Sequence, residues 1–263
     1  MTRRGDVRAP WGLVVLAGVG GVFFALPLLG LLSRVPWGEI HTVLGDSSAL
    51  DSLRLSLIAS SAATAISLLI GFPLAWLLAR VDFPGRGLVR GLVLLPLVLP
   101  PVVGGAALLF ALGRSGLVGG PLYRATGVVL PFSMWGLVIA VTFVAMPFLV
   151  ITVEAALRNL DGRHEDAAAG LGAGRWRVLR RITIPMIYPS LVAGLVLTWA
   201  RALGEFGASI TFAGNLPGKT QTLPLAVFVA LEGGDPAAEV LSLLMVAISL
   251  LVLVVLRDRW LAR

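Results

Sequence analysis

The chain of 263 residues is 57% hydrophobic and only 13% charged, with a mean hydropathy of +0.94. Soluble domains carry about 25% charged residues, so a globular cytosolic protein is excluded. The formal net charge of +7 raises nucleic acid as a ligand and the lack of cysteine removes disulfide frameworks and thiolate metal sites.

A helix that crosses a bilayer needs roughly 20 apolar residues. Six such runs are predicted, at about 11–32, 53–78, 88–112, 128–155, 187–212 and 237–256. In lipid no water pairs the backbone, so runs of this length are helices. The expected fold class is therefore an all-α membrane protein with six transmembrane helices in a single domain, 1–263. The first run follows Arg3, Arg4 and Arg8 as a signal peptide would. It exceeds an h-region in length and no small-x-small site closes it, so it is expected to remain as a membrane helix.

Assigning successive loops to alternate sides explains the charge. One side takes Arg3, Arg4, Arg8, Arg80, Arg86, Arg90, Arg158, Arg163, Arg175, Arg177, Arg180, Arg181, Arg257, Arg259 and Arg263. The other takes Arg34, Arg54, Arg114, Arg124 and Lys219. This bias predicts cytoplasmic termini and a cytoplasmic fourth loop. The basic excess is thus a topology signal, and no nucleic acid is expected as a partner.

The third run contains Pro96, Pro100 and Pro101. Prolines remove backbone donors in mid-membrane, which reads either as a packing kink or as irregular backbone lining a cavity. The fourth loop, about 156–186, is too polar to span. Asp161-Gly162 gives a turn, and Glu165 and Asp166 fall in a first helical turn, where acidic groups suit the dipole. Ala167, Ala168 and Ala169 continue that helix, Gly170 and Gly172 interrupt it, and Gly174 is the expected stop. A second short helix, Arg175 to Arg181, should end before Pro185 and Pro189. Its arginines suit acidic groups or lipid phosphates.

In the fifth run Arg201 and Glu205 sit at i and i+4 on one expected helical face. Intramembrane charges cost about 2.5–3.5 kcal/mol each on insertion scales, so such residues face the bundle interior. They read either as a structural ion pair or as groups at a pathway or dimer axis. Residues 222–231 are apolar over a length too short to span, which suits an interfacial or re-entrant helix on the outer side. Gly214 to Thr220 ends in Gly-Lys-Thr, but three residues separate its glycines where a phosphate loop needs four, and Pro217 lies within it. It is not expected to bind ATP.

Catalytic signatures are thin. His41 and His164 fall on opposite sides, and no HExxH or Gly-x-Ser-x-Gly is present. An intramembrane enzyme would rest on Glu205 alone. A passive channel would not need a docking-type loop.

Asp166-Ala167-Ala168, three residues, Gly172, nine residues, then Ile182-x-Ile184-Pro185 resembles the cytoplasmic EAA loop of permease subunits of binding-protein-dependent ABC importers. Asp166 stands for the usual glutamate and Ile184 for the usual leucine. Three further segments are similar to molybdate permease subunits: Leu94 to Gly105, Arg201 to Ala208, and Asn215 to Ala226. Sulfate permeases share the second with variation, and tungstate is too like molybdate to separate from it. The resemblance implies a type I importer permease fold in a bacterial or archaeal plasma membrane. It implies a homodimer with two ATP-binding subunits, an external molybdate-binding protein, surrounding lipids, and ATP held by the partner rather than by this chain. Docking to the ATP-binding subunit is expected at Glu165, Asp166, Ala167, Ala168, Leu171, Gly172, Ala173 and Arg177. A pathway or gate is expected at Pro100, Pro101, Arg201, Gly204, Glu205, Phe206 and Gly207. Binding-protein contact is expected at Asn215, Lys219 and Gln221.

Overall fold

The computed structural model describes residues 10–261, with side chains through residue 254. Arg3, Arg4, Arg8 and Arg263, and the side chains of Arg257 and Arg259, lie outside the described residues. The order is α1 (Trp11–Arg34), α2 (Ile40–Gly45), α3 (Ser47–Ile66), a π segment (Ser67–Gly71), α4 (Phe72–Arg80), α5 (Arg86–Val98) and α6 (Pro101–Leu112). There follow α7 (Gly119–Thr126), α8 (Met134–Asn159), α9 (Arg163–Gly170), α10 (Arg175–Val178), a second π segment (Leu179–Thr183) and α11 (Ile184–Leu203). The chain closes with α12 (Gly207–Phe212), α13 (Leu223–Gly233) and α14 (Ala237–Leu261).

Among the described residues five helices, not the six expected, are long and apolar enough to cross a membrane: Trp11–Arg34, Ser47–Arg80, Met134–Asn159, Arg175–Leu203 and Ala237–Val254. The missing one is the third run. It divides into α5 and α6, because Leu99 and Pro100 are both extended, with ψ of 137° and 131°. A residue before proline is pushed out of the helical region, and the second of two adjacent prolines, Pro101, then suits the first turn of a new helix.

The fifth run also departs from expectation, at both ends. The basic segment does not stop before Pro185. It continues through the π segment into α11 as one helix, Arg175–Leu203. The Ile184 N–H donates to the Leu179 carbonyl, a wide-turn bond. Proline crowds the carbonyl four residues back, and a wide turn gives that carbonyl room without ending the helix. The same solution recurs at Pro73, the second residue after the π segment Ser67–Gly71, as Pro185 is after Leu179–Thr183. At its C-terminal end the helix stops at Leu203, so Glu205 lies in a break before α12 rather than on the helix of Arg201.

The bundle is built around α8, whose buried Leu137, Val141, Ala145, Leu149, Val153 and Leu157 run along one stripe. Helices α3, α4, α11 and α12 pack against it. On α3 the buried positions are small, among them Ser52, Ser56, Ala59, Ser60 and Ala63, and small residues let membrane helices approach closely. Two short helices were absent from the sequence reading, α2 and α7. Helix α13 realises the expected short outer helix; Ser56 Oγ accepts its Leu223 N–H at 2.7 Å. Helix α1 rests against α14 and buries no side chain.

Candidate functional site: a clamped loop helix and two facing helix breaks

The loop between α8 and the long helix that begins at Arg175, expected on the cytoplasmic side, is ordered by its own backbone. Helix α9 carries Glu165 and Asp166 in its first turn. It ends in a two-bond cap: the Gly172 N–H donates to Ala169 O at 2.9 Å, and the Ala173 N–H to Ala168 O at 3.0 Å. That cap needs a left-handed residue, and Gly172 supplies it with φ +84°. The stop is therefore Gly172, not Gly174, which instead precedes α10. Leu171 projects from the cap 90% exposed. Asp166, Ala167 and Arg177 are exposed, and Ala168 and Ala173 half-buried.

Glu165 points the other way. Its Oε2 lies 2.8 Å from Arg80 Nη2, and its Oε1 accepts the Thr183 Oγ–H at 2.5 Å. One carboxylate thus ties α9 to the end of α4 and to the π segment below α11. The Arg80 contact is ionic rather than an aligned fork, since Arg80 Nε and Nη2 make no aligned hydrogen bond. A cavity of about 430 Å³ opens beside this clamp, lined by Trp76, Asp166, Ala173 and Arg175 among others. Alongside, Arg90 donates to Glu154, and Arg158 Nε lies 3.1 Å from the same carboxylate. Sequence reasoning missed Arg80, Arg90, Glu154 and Thr183. The i,i+4 spacing of Glu154 and Arg158 was visible; the pairing with Arg90, sixty-four residues earlier, had no local signal.

At the end of the bundle away from this loop two interrupted helices meet. A Cβ on Gly207 would lie 2.6 Å from Pro101 Cβ, and one on Gly105 would lie 2.7 Å from Thr211 Cβ and 2.8 Å from Ala208 O. Backbone therefore touches backbone where α6 crosses α12. Within this contact Glu205 is buried: its Oε1 accepts the Ala208 N–H at 2.8 Å, and its Oε2 lies 2.6 Å from Arg201 Nη2. Arg201 keeps 29% of its side chain exposed. Phe206 packs against Phe228 of α13, with ring centroids 5.0 Å apart and the planes tilted by 55°. Gly204, Pro100 and Pro101 are exposed at the edges of the breaks. Pro100, Pro101 and residues 204–207 are thus one cluster, assembled from two runs a hundred residues apart in sequence.

The loop after α12, expected on the outer side, is a compact turn. The Leu216 carbonyl accepts the N–H groups of Lys219, Thr220 and Gln221, and Thr220 Oγ1 accepts the Leu216 N–H. Lys219 is exposed, while Asn215 and Gln221 are half-buried. Gln221 opens on a cavity of about 580 Å³ with Thr42, Asp46 and Asp235. Among the described residues no cluster of three or more His, Asp or Glu side chains is placed to hold a metal ion.

Comparison with known proteins gives this arrangement a family. A model described as "Binding-protein-dependent transport system inner membrane component" matches residues 49–263, and the chain belongs to that family. It is 44% identical over 240 residues to the molybdenum transport system permease protein ModB of Mycobacterium tuberculosis, covering 91% of this chain and 90% of that protein. It is 44% identical over 214 residues to ModB of Escherichia coli, covering 81% of this chain and 93% of that one. The sulfate transport system permease protein CysT of Escherichia coli is 35% identical over 232 residues, with 87% and 83% covered. In fold, the chain matches a crystal structure of a bacterial ABC transporter importing the polysaccharide alginate, with TM-score 0.74 at 20% identity and 96% of each chain covered. The protein is a multi-pass inner-membrane transport component, not an enzyme.

Proposed function

We propose that this chain is the permease subunit of an ATP-driven importer for a tetrahedral oxyanion, molybdate or tungstate, and that it works as a homodimer. Two ATP-binding subunits would dock on the cytoplasmic side and a binding protein would deliver the anion outside. The observation that carries the substrate is the 44% identity to two molybdenum permeases against 35% to a sulfate permease. The whole chain serves as one membrane domain.

The docking face is the exposed side of α9 and its cap: Asp166, Ala167, Ala168, Leu171, Gly172 and Ala173, with Arg177 at its edge. Small residues there let a partner's backbone come close, and Leu171 is an exposed apolar anchor. Glu165 has a different part. It passes displacement of α9 into α4 and α11, which both pack on α8. Force entering at the loop thereby reaches the helix that carries Arg201.

The gate is the contact between the two breaks. Glu205 neutralises Arg201 and holds α12 through its hydrogen bond to Ala208, so the resting site offers an incoming anion little net positive field. Separating α6 from α12 would expose Arg201 to the pathway. Asn215, Lys219 and Gln221 form the outer face toward the binding protein.

The test is ATPase activity of the reconstituted complex with binding protein, stimulated by molybdate, tungstate or sulfate. Stimulation by molybdate and tungstate with none by sulfate is expected. Stimulation by sulfate alone would move the chain to the sulfate reading.

A further inference from the structure

The described cytoplasmic arginines divide into two groups. Arg80 pairs with Glu165, Arg86 with Asp82, Arg90 and Arg158 with Glu154, and Arg163 with Asp161. Arg175, Arg177, Arg180 and Arg181 have no carboxylate within ion-pair distance among the described residues. The sequence offers them no local partner either, because no Asp or Glu occurs between Arg175 and Gly204. These four arginines and Trp176 border a groove of about 680 Å³. Arg180 and Arg181 are exposed, and Trp176 is 68% exposed.

Position narrows the occupant. Arg175–Leu203 is one helix of 29 residues, which at 1.5 Å per residue is about 43 Å long. The hydrocarbon core is about 30 Å thick, so roughly 13 Å of this helix stands outside it. Its apolar sequence begins at Ile182, which leaves Arg175 to Arg181 as the part in the headgroup layer. An exposed indole beside arginines suits that layer, where tryptophan sits with its ring at the water boundary. Four guanidinium groups with no carboxylate partner among the described residues suit phosphate oxygens, which they bind with paired N–H donors. In the proposed assembly an ATP-binding subunit would meet the loop at the exposed Leu171, with Arg177 where the two surfaces adjoin.

We propose that the Arg175–Arg181 groove binds the phosphate of an anionic phospholipid in the cytoplasmic leaflet. The lipid holds the base of the long helix at a fixed depth, next to the π turn that Glu165 clamps. The inference rests on the permease reading only for its membrane orientation, and not on the substrate.

The assembled transporter, with its ATP-binding subunits, is placed in nanodiscs of phosphatidylcholine alone or mixed with phosphatidylglycerol. Retained lipid is then measured by native mass spectrometry. The native protein should keep phosphatidylglycerol in preference to phosphatidylcholine, and Arg180→Gln/Arg181→Gln should reduce that preference about tenfold. Sodium phosphate added in solution should not displace the lipid; displacement would assign the groove to free phosphate and overturn the proposal. An unchanged lipid preference in the double variant also overturns it, whether or not ATP-binding subunits are lost; their loss alone would give the surface to that partner. If the double variant fails to assemble, single Arg180→Gln and Arg181→Gln are compared with Arg163→Gln, whose arginine is already paired. Equal lipid preference in all three overturns the proposal. Failure of molybdate to stimulate ATPase leaves this lipid measurement untouched, so the two readings fail separately.

Discussion

Glu165 offers the sharpest test of how the loop is coupled to the bundle. Its carboxylate faces Arg80 and Thr183, with the Arg80 and Glu165 side chains 24% and 20% exposed. Exposed ion pairs contribute about 0–1 kcal/mol, and hydrogen bonds to charged groups about 1.5–3 kcal/mol. At this partial burial the whole clamp is worth about 2 kcal/mol, which is roughly a 30-fold change in the docked population of α9. Glu165→Ala removes both contacts. Glu165→Gln keeps an acceptor for Thr183 and loses only the ionic part, about half the effect. The assay is amide hydrogen exchange across residues 163–170 in the assembled transporter, because local opening reports on how firmly a segment is held. Exchange there should accelerate about 30-fold in Glu165→Ala and several-fold in Glu165→Gln, with α8 unchanged. Arg80→Gln combined with Glu165→Gln should be less than additive, as for any directly interacting pair. Stimulation of ATPase by the loaded binding protein should fall in step with exchange. Exchange in Glu165→Ala indistinguishable from native would refute the clamp.

Substitutions at five further positions test the loop cap and the facing breaks. Gly172 has φ +84° with open space around the site of a Cβ, so Gly172→Ala should cost only backbone strain, about 1 kcal/mol. Gly172→Arg should abolish uptake and partner assembly while the protein still inserts; normal substrate-stimulated ATPase in that variant would sink the docking assignment. Gly207→Ala drives a Cβ to 2.6 Å from Pro101, whereas Gly104→Ala meets only the Phe143 ring at 3.3 Å. The first should lower the thermal midpoint by an overpacking cost of about 1–3 kcal/mol and the second by less, and equal losses would undo the ranking. Glu205→Gln strands Arg201, and stranding a charge costs about 3–5 kcal/mol at full burial. Glu205→Gln with Arg201→Gln should be more stable than Glu205→Gln alone and should alter transport more than expression. Normal transport by the double variant would make the pair structural only.

Much of the fold was legible because a bilayer demands length and apolarity, and both are one-dimensional properties. Helices α1, α8 and α14 were visible this way, as was α13, too short to span. The errors sit at prolines. Pro185 and Pro100 carry the same chemical restriction, yet one lies inside a continuous helix and the other beside a break. The difference is what surrounds them. Pro185 follows a single wide turn that frees one crowded carbonyl, whereas Leu99 and the doublet Pro100-Pro101 force two consecutive residues into extended backbone. A lone proline can be absorbed by changing one turn; an adjacent pair leaves no helical residue from which to restart except the second proline itself.

The site was legible in proportion to how local its chemistry is. Gly172 belongs to a cap whose bonds span five residues, so its position in the loop could be read from sequence, although the stop was expected two residues later. Glu165 and Asp166 are adjacent and look equivalent, both being acidic groups in a first turn. Successive residues on a helix point about 100° apart, so only one of them can face the bundle. What selects Glu165 is Arg80 and Thr183, eighty-five residues before it and eighteen after it in sequence. The same reasoning applies to Glu205. Its i+4 spacing from Arg201 suggested two groups on one helix, but the helix ends between them. Glu205 is therefore free to turn one oxygen to Arg201 and the other to the Ala208 N–H. A carboxylate on an intact helix would find the Ala208 N–H already bonded within that helix, so the second contact exists only because the helix is broken. The charge pair and the break are one feature, and a perturbation that heals the break must also release Arg201.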